Sequence, residues 1–401
     1  MNRLIITIIL FFFRNLVFCQ DDIKMQILSS FGQVNSINPE QNDYSDLENF
    51  GKAVGNSQIV FLGEQDHGDA PTFLAKTRLI KYLHEKMDFD VLVFESDFWA
   101  LNKIWDNRFS DSSLIDHIKS NTYSIWSQCA QTQELYNYLD QTFKTNFPLI
   151  VSGVDCRHVL PYTKKNYTKA LAAFAKTQSA LTTDTASLNA FLAIANDLIE
   201  KEYSIKKTIE QQTFFIEYLD KVTPSITDLF WKQEFINLKG GALNSFAFTY
   251  NTTRDIYMSK NLLWLYKEKF KGKKIIVWAH SLHNAKNIDK IPHQLVTSMG
   301  NEMHKLLKDS IYIVGFSSLT GSAGRIVFDK KYKVDKAKKN SFESWVSTTN
   351  YDYGFVNFNS LKGNAIFYMK GLGHNAVKTD WTKVFDGVFY IKNMYPCDKT
   401  K

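Results

Sequence analysis

The chain has 401 residues, 44% of them hydrophobic and 14% aromatic, with only 7 prolines and 18 glycines. That composition excludes a disordered or low-complexity polymer and supplies enough apolar material for one large core or two smaller ones. The formal net charge of +7 comes mostly from scattered lysines, without the arginine and aromatic interleaving of a nucleic-acid surface, so no nucleic-acid partner is expected.

At the N-terminus Arg3 precedes an unbroken apolar run at 4–13, the pattern of an export signal and too short to span a bilayer. Val17 and Cys19 are small residues where a signal peptidase reads. Cleavage before Gln20 is therefore expected, with the mature chain secreted or periplasmic. Lipidation of Cys19 is the less favoured alternative, because bulky Phe18 precedes it. No later segment has the length of apolar sequence that a stable membrane span needs. Cys129, Cys156 and Cys397 then remain; they allow at most one disulfide, and free or structural thiols are the favoured expectation.

Short apolar, β-branched runs follow at 58–62, 91–94, 149–154, 274–278, 311–316, 365–369 and 388–391. Amphipathic helical periodicity occupies 75–86, 132–143 and 255–270. Strands alternating with helices predict an α/β fold with a largely parallel sheet and flanking helices. From about 164 to 243 the texture changes to amphipathic segments at 187–201, 205–219 and 226–238, punctuated by Pro224, Gly240 and Gly241. This reads as an α-helical insertion or cap. The expected organisation is a signal peptide at 1–19, a first part of the α/β core at 20–163, the insertion at 164–249 and a second part of the core at 250–401. The densest basic cluster, Lys330, Lys331, Lys333, Lys336, Lys338 and Lys339, is interrupted by Asp335 and reads as a solvated loop.

Ligands of open α/β sheets bind beyond the carboxyl ends of the strands. Here those ends carry Glu64 and His67, then Glu95 and Asp97, then Asp155, Arg157 and His158, then His280 and His283. A carboxylate beside an imidazole fixes its tautomer, and an arginine or a second imidazole can stabilise an oxyanion, a combination suited to hydrolysis by activated water. No Gly-x-Ser-x-Gly elbow, Gly-x-Gly-x-x-Gly fingerprint or Walker A loop is present. Glu64 to His67 and His280 to His283 share a three-residue offset, which would put each pair on one face if a helical turn starts there. His84, His117, His293, His304 and His374 are expected to be structural, hydrogen-bonded residues. The aromatic group Trp99, Trp105, Tyr123 and Trp126 is expected to serve packing, with an acyl pocket as the alternative.

Gly63-Glu64-x-x-His67-Gly68, Glu95, Trp126 with Gln133-Glu134-Leu135, Gly153-x-Asp155, Arg254-Asp255-x-x-Met258 and Trp278-Ala279-His280-x-x-His283 together resemble the erythromycin esterase family, in order from about Val60 to Ile391. The resemblance implies an α/β hydrolase that cleaves a small-molecule carboxylic ester or lactone, a macrolide in the family's named members, without a cofactor or metal. It implies His67 as the base that activates water, Glu64 and Glu95 as orienting or assisting groups, and His280, His283 and Arg254 as groups that bind or polarise the ester. Asp69, Ala70 and Pro71 stand where family members often carry an arginine. The runner-up reading is a metal-dependent hydrolase or metal-binding envelope protein using the same Glu/His cluster; a third is a non-catalytic binding protein that retains the pocket.

Overall fold

The computed structural model describes residues 22–110, 112–201, 206–246, 250–328, 331–363 and 365–400. The proposed signal peptide, together with Lys330, lies outside the described residues. A mixed sheet organises the molecule. Its strands are β1 (Gly32–Val34), β2 (Ile59–Leu62), β3 (Phe89–Asp97), β4 (Ile150–Asp155), β5 (Lys274–Trp278), β6 (Ile311–Gly324), β7 (Lys331–Lys333), β8 (Tyr353–Asn357) and β11 (Gly387–Met394). A separate antiparallel pair is formed by β9 (Ile366–Met369) and β10 (Val377–Asp380). The order across the main sheet is β1-β8-β11-β6-β2-β5-β3-β4, with β7 beside β6. From β11 to β4 neighbouring strands run parallel, whereas β8 and β1 add an antiparallel edge.

The central strands read as continuous apolar runs because both faces of the sheet are covered. Side chains alternate between the two layers. Val60 and Leu62, Leu92 and Phe94, Ile276 and Trp278 face one core with Phe73 and Leu79. Ile59 and Phe61, Val91 and Val93, Ile275 and Val277 face the other with Met258, Leu262 and Met299. The register aligns Val314, Leu62, Trp278, Phe94 and Gly153 in one row across β6, β2, β5, β3 and β4. The residues just beyond that row therefore share one edge, and Glu64, Glu95, Asp155 and His280 are among them.

Residues 164–246 contribute only helices to the described residues: the end of Pro161–Thr177, then Ser179–Thr182, Thr185–Glu200, Ile209–Val222 and Leu229–Phe246. They surround a core of their own that includes Phe191, Phe215, Leu219 and Phe235, and Trp99 joins it from the α/β body.

Four expectations are corrected. The run at 365–369 belongs to the separate two-stranded sheet, since period and apolarity identify a strand but not its partner. Gly240 and Gly241 do not break a helix; they lie inside Leu229–Phe246. A Cβ on Gly240 would come within 2.3 Å of the Tyr257 ring, so close helix approach accounts for that glycine. Part of the lysine cluster pairs as β7 against Ser322–Gly324, with its side chains exposed. Cys129 and Cys397 are joined in a disulfide across 268 residues, while Cys156 is free and buried. No helix of the described residues is long and apolar enough to cross a membrane.

Candidate active site

After β2 the chain turns through Gly63 to Asp69 before helix Ala70–Met87 begins. Glu64 and His67 meet through this turn, not on a helix: His67 Nδ1 lies 2.8 Å from Glu64 Oε1. The turn is pinned by Asp66 N–H donating to Asp69 Oδ2 at 2.9 Å. It also packs against β6, where a Cβ on Gly68 would meet the Gly324 carbonyl at 1.9 Å, so only glycine fits there.

Glu64 is fully buried and held by three donors. Trp126 Nε1 donates to Oε1 at 2.7 Å and Lys76 Nζ donates to Oε2 at 2.8 Å, in addition to His67. Burial pushes the Glu64 carboxyl up, but Lys76 and His67 outweigh it and hold the group below its ordinary value. Burial also lowers the Lys76 ammonium to about 8, against the pull of Glu64, and its Nζ sits 3.9 Å over the Trp278 ring. An ionised Glu64 can only accept, so His67 carries its proton on Nδ1. Nε2 of that ring has no protein partner among the described residues, and the side chain is 16% exposed.

His280 is different. As N-cap of Ser281–Asn284 its Nδ1 accepts from Leu282 N–H at 3.0 Å, and its Nε2 lies 3.0 Å from the Gln65 carbonyl. Both ring nitrogens are thus taken by main chain, which leaves the ring to pack against His67 at 4.9 Å between centroids. Burial, with the neighbouring His67, pushes its pKa down to about 3. The ring is therefore neutral at physiological pH and has no free N–H for an ester oxygen, contrary to the expected polarising role.

His283 sits 6.4 Å beyond His280, ring to ring, and belongs to a second network. Its Nδ1 is 2.9 Å from both Asp255 oxygens, while Nε2 is 3.0 Å from Arg254 Nη1 and 3.3 Å from Glu95 Oε1. Burial opposes charge on this ring, but Asp255 and Glu95 outweigh it and raise its pKa. Arg254 Nη2 donates to Glu95 Oε1 and to Asp155 Oδ2, both at 2.7 Å, and Nε donates to Asp155 Oδ1 at 3.1 Å. Glu95 Oε2 accepts from His280 N–H at 3.0 Å. Burial raises the Glu95 and Asp155 carboxyls, but the cations outweigh it and hold both well below the usual range: His283 and Arg254 for Glu95, Arg157 and Arg254 for Asp155.

All six expected residues thus gather at one edge. Sequence reasoning gave no role to several partners. Lys76 and Trp126 hold Glu64. Asp255 orients His283. Tyr123 donates to Asp155 Oδ2 at 2.6 Å. Arg157, which donates to Asp155 through Nε and Nη2, is partly exposed and leaves Nη1 without a partner among the described residues. Tyr123 was legible only as an aromatic after a strand, whereas Trp126 already stood among the residues that carry the family resemblance. Of the other two, Trp99 joins the helical core and Trp105 the main core.

Of the histidines expected to be structural, His84 meets the Tyr138 hydroxyl at 2.6 Å and His374 meets Asp69. His293 instead lies exposed in a turn with φ 62°. The Cys156 thiol is pushed up by burial, which removes it as a thiolate nucleophile. The carboxylate oxygens of Glu64, Glu95 and Asp155 are taken by lysine, arginine, indole, imidazole and backbone N–H groups. Among the described residues no three His, Cys, Asp or Glu side chains converge as a metal ion would require.

The family profile described as erythromycin esterase matches residues 84–394. A putative hydrolase of Bacillus subtilis (strain 168), YbfO, is 24% identical over 88% of this chain and 87% of its own length. The erythromycin esterase type II of Escherichia coli is 21% identical over 89% of this chain and 94% of its own. Among solved structures, a succinoglycan biosynthesis protein superimposes with a TM-score of 0.76 at 19% identity, covering 95% of this chain and 99% of that one. A mutant of the erythromycin esterase EreC in its open conformation superimposes with a TM-score of 0.68 at 17% identity, covering 90% and 97%. These structural likenesses establish the shared α/β fold.

Proposed function

The chain belongs to the erythromycin esterase family, whose relatives carry hydrolase and esterase names, and from that membership we propose that it hydrolyses a carboxylic ester or lactone with a water activated by His67. The observation that carries this reading is the division of labour at Glu64. That carboxylate has its charge balanced by Lys76 and its oxygens filled by three donors, so it cannot itself take a proton. It holds Nδ1–H of His67, which turns the free Nε2 outward as the acceptor.

In the proposed reaction Nε2 removes a proton from water as its oxygen attacks the ester carbonyl. The resulting oxyanion is stabilised on the side of Arg254 and Arg157, with His283 Nε2 beside Arg254 Nη1. Collapse breaks the carbon–oxygen bond to the alcohol, and the proton on Nε2 passes to the departing alkoxide, which restores the neutral ring. Glu95 and Asp155 keep Arg254 in place, and Asp255 fixes the tautomer of His283. The fixed cations at this edge are each matched by a carboxylate: Lys76 by Glu64, Arg254 by Glu95 and Asp155, Arg157 by Asp155. That balance supports an uncharged ester as substrate over a phosphate or sulfate ester, which would call for surplus positive charge.

A panel of macrolides, simple lactones and aryl esters tests the reading. At least one member should be hydrolysed by the wild type and not by His67→Ala with its fold intact by circular dichroism. Equal turnover by the variant would sink the mechanism. Export is part of the same proposal. The apolar run at 4–13 supports it, and so does a disulfide, which persists in oxidising compartments. Intact-mass analysis of secreted protein should give a chain that starts at Gln20; a cytoplasmic form retaining Met1 would refute it.

A further inference from the structure

Residues 395–400 run as a strap between the two segments that supply donors to Glu64 Oε1, the His67 turn and the short helix Ser124–Ser127 with the turn after it. On one side, Ala70 N–H donates to the Tyr395 carbonyl at 3.1 Å and Cys397 N–H donates to the Gly68 carbonyl at 2.9 Å, directly after His67. On the other, Ala130 N–H donates to the Asp398 carbonyl and Thr400 N–H to the Gln128 carbonyl, both at 2.8 Å. Gln131 brackets Asp398, its Nε2 donating to Oδ2 at 2.8 Å and its Oε1 accepting from the backbone N–H at 3.1 Å. The Cys129–Cys397 disulfide crosses between the two sides. Cys129 shares a turn with Trp126: its N–H donates to the Trp126 carbonyl at 3.0 Å, and Thr132 Oγ1 donates to the same carbonyl at 2.6 Å.

We propose that Cys129 and Cys397 are positioning residues for catalysis: their disulfide fixes the spacing of the His67 loop and the Trp126 loop, so that both side chains reach the same oxygen of Glu64. The proposal rests on the reading of His67 as the base. Without the covalent tie the strap is held by a few hydrogen bonds at the surface, and a segment with few buried contacts opens locally at low cost. Asp398 and Lys399 are already exposed. Release would let the Trp126 turn move away from Glu64 and let His67 reorient. A misplacement of about 1 Å costs roughly 10²-fold in rate where geometry sets the barrier. The ester would still be bound by groups that the strap does not touch, so the loss falls on kcat and KM stays nearly unchanged.

The test compares the oxidised full chain with the same protein reduced by dithiothreitol, in which the dithiol gives up two electrons and two protons to Cys129 and Cys397 and closes to its own cyclic disulfide. The double variant Cys129→Ser/Cys397→Ser serves as a second reduced form. Two readouts are taken well below the melting temperature: kcat and KM on a hydrolysed ester, and hydrogen exchange of the Trp126 indole N–H by NMR. The indole of Trp381, which donates to the Phe367 carbonyl at 3.0 Å in the core, is the internal reference.

The expected result is a kcat lower by about tenfold or more with KM nearly unchanged. Trp126 exchange should accelerate while Trp381 exchange does not, and reoxidation should reverse both changes. If Trp126 stays as protected in the reduced forms as in the oxidised protein, the proposal is overturned. It is equally overturned if both indoles accelerate together, because the bond would then act on global stability alone. The exchange measurement needs no substrate, so it still reads out the positioning role where no ester is turned over and the catalytic reading fails.

Discussion

Two carboxylate–imidazole pairs flank the same turn, and only one of them leaves a ring nitrogen without a protein partner among the described residues. Glu64 holds His67 by Nδ1 and leaves Nε2 open. Asp69, five residues further on, holds His374 by Nε2 at 2.9 Å, while His374 Nδ1 is 3.2 Å from the Ser318 hydroxyl. Asp69, His374 and Ser318 are all buried. Taken as residue types, Asp69-His374-Ser318 looks more like a catalytic set than Glu64-His67 does. It serves instead as a pin. Asp69 also accepts from Asp66 N–H, so the trio anchors the turn that presents His67. A carboxylate beside an imidazole therefore fixes a tautomer in both places, and what separates the proposed base from the brace is a free ring nitrogen.

Substitution can break that comparison. The largest effect is expected from His67→Ala, which should lower kcat by about 10²–10⁴-fold, the usual worth of a positioned general base, as measured by steady-state kinetics on a hydrolysed ester. His374→Gln should act the other way. Weakening the hydrogen bond that Asp69 accepts in the interior is expected to cost about 1–3 kcal/mol, read from urea unfolding, with kcat within a few-fold of wild type. If His374→Gln abolished turnover at unchanged stability, the division into base and brace would be wrong.

A smaller effect, in pH dependence, sharpens the contrast between His67 and its neighbour His280. Folding lowers the His280 pKa to about 3, from about 6.5 in the unfolded chain. Between those values the unfolded imidazole takes a proton that the folded one does not, so stability falls as pH falls through that window. Going from pH 7 to pH 5, His280 should account for a loss of about 2 kcal/mol. His280→Asn should lose correspondingly less over the same step in urea unfolding, whereas identical pH dependence in the two proteins would show that the ring is not held neutral.

The sequence by itself determined the alternation of strands and helices, the parallel character of the sheet and the edge at which chemistry gathers. Apolar runs buried on both faces announce central strands, and the residues after each run must then lie at one rim. It also listed Glu64 and His67 among the strand-end groups, but their three-residue offset is shared by His280 and His283, and only the resemblance to the family set His67 apart. Tertiary structure decided everything that depends on partners distant in the chain. Lys76 and Trp126 reach Glu64 from 12 and 62 residues away, and neither spacing has a period that could reveal it.

Cys129 and Cys397 illustrate the same limit. Cys129, Cys156 and Cys397 allow a single bridge among them, but only the fold brings positions 268 residues apart into contact. The roles of His280 and His283 were likewise beyond the sequence. Which nitrogen of an imidazole stays free is set by what its other nitrogen bonds, and for His280 both partners are backbone groups that no residue pattern encodes.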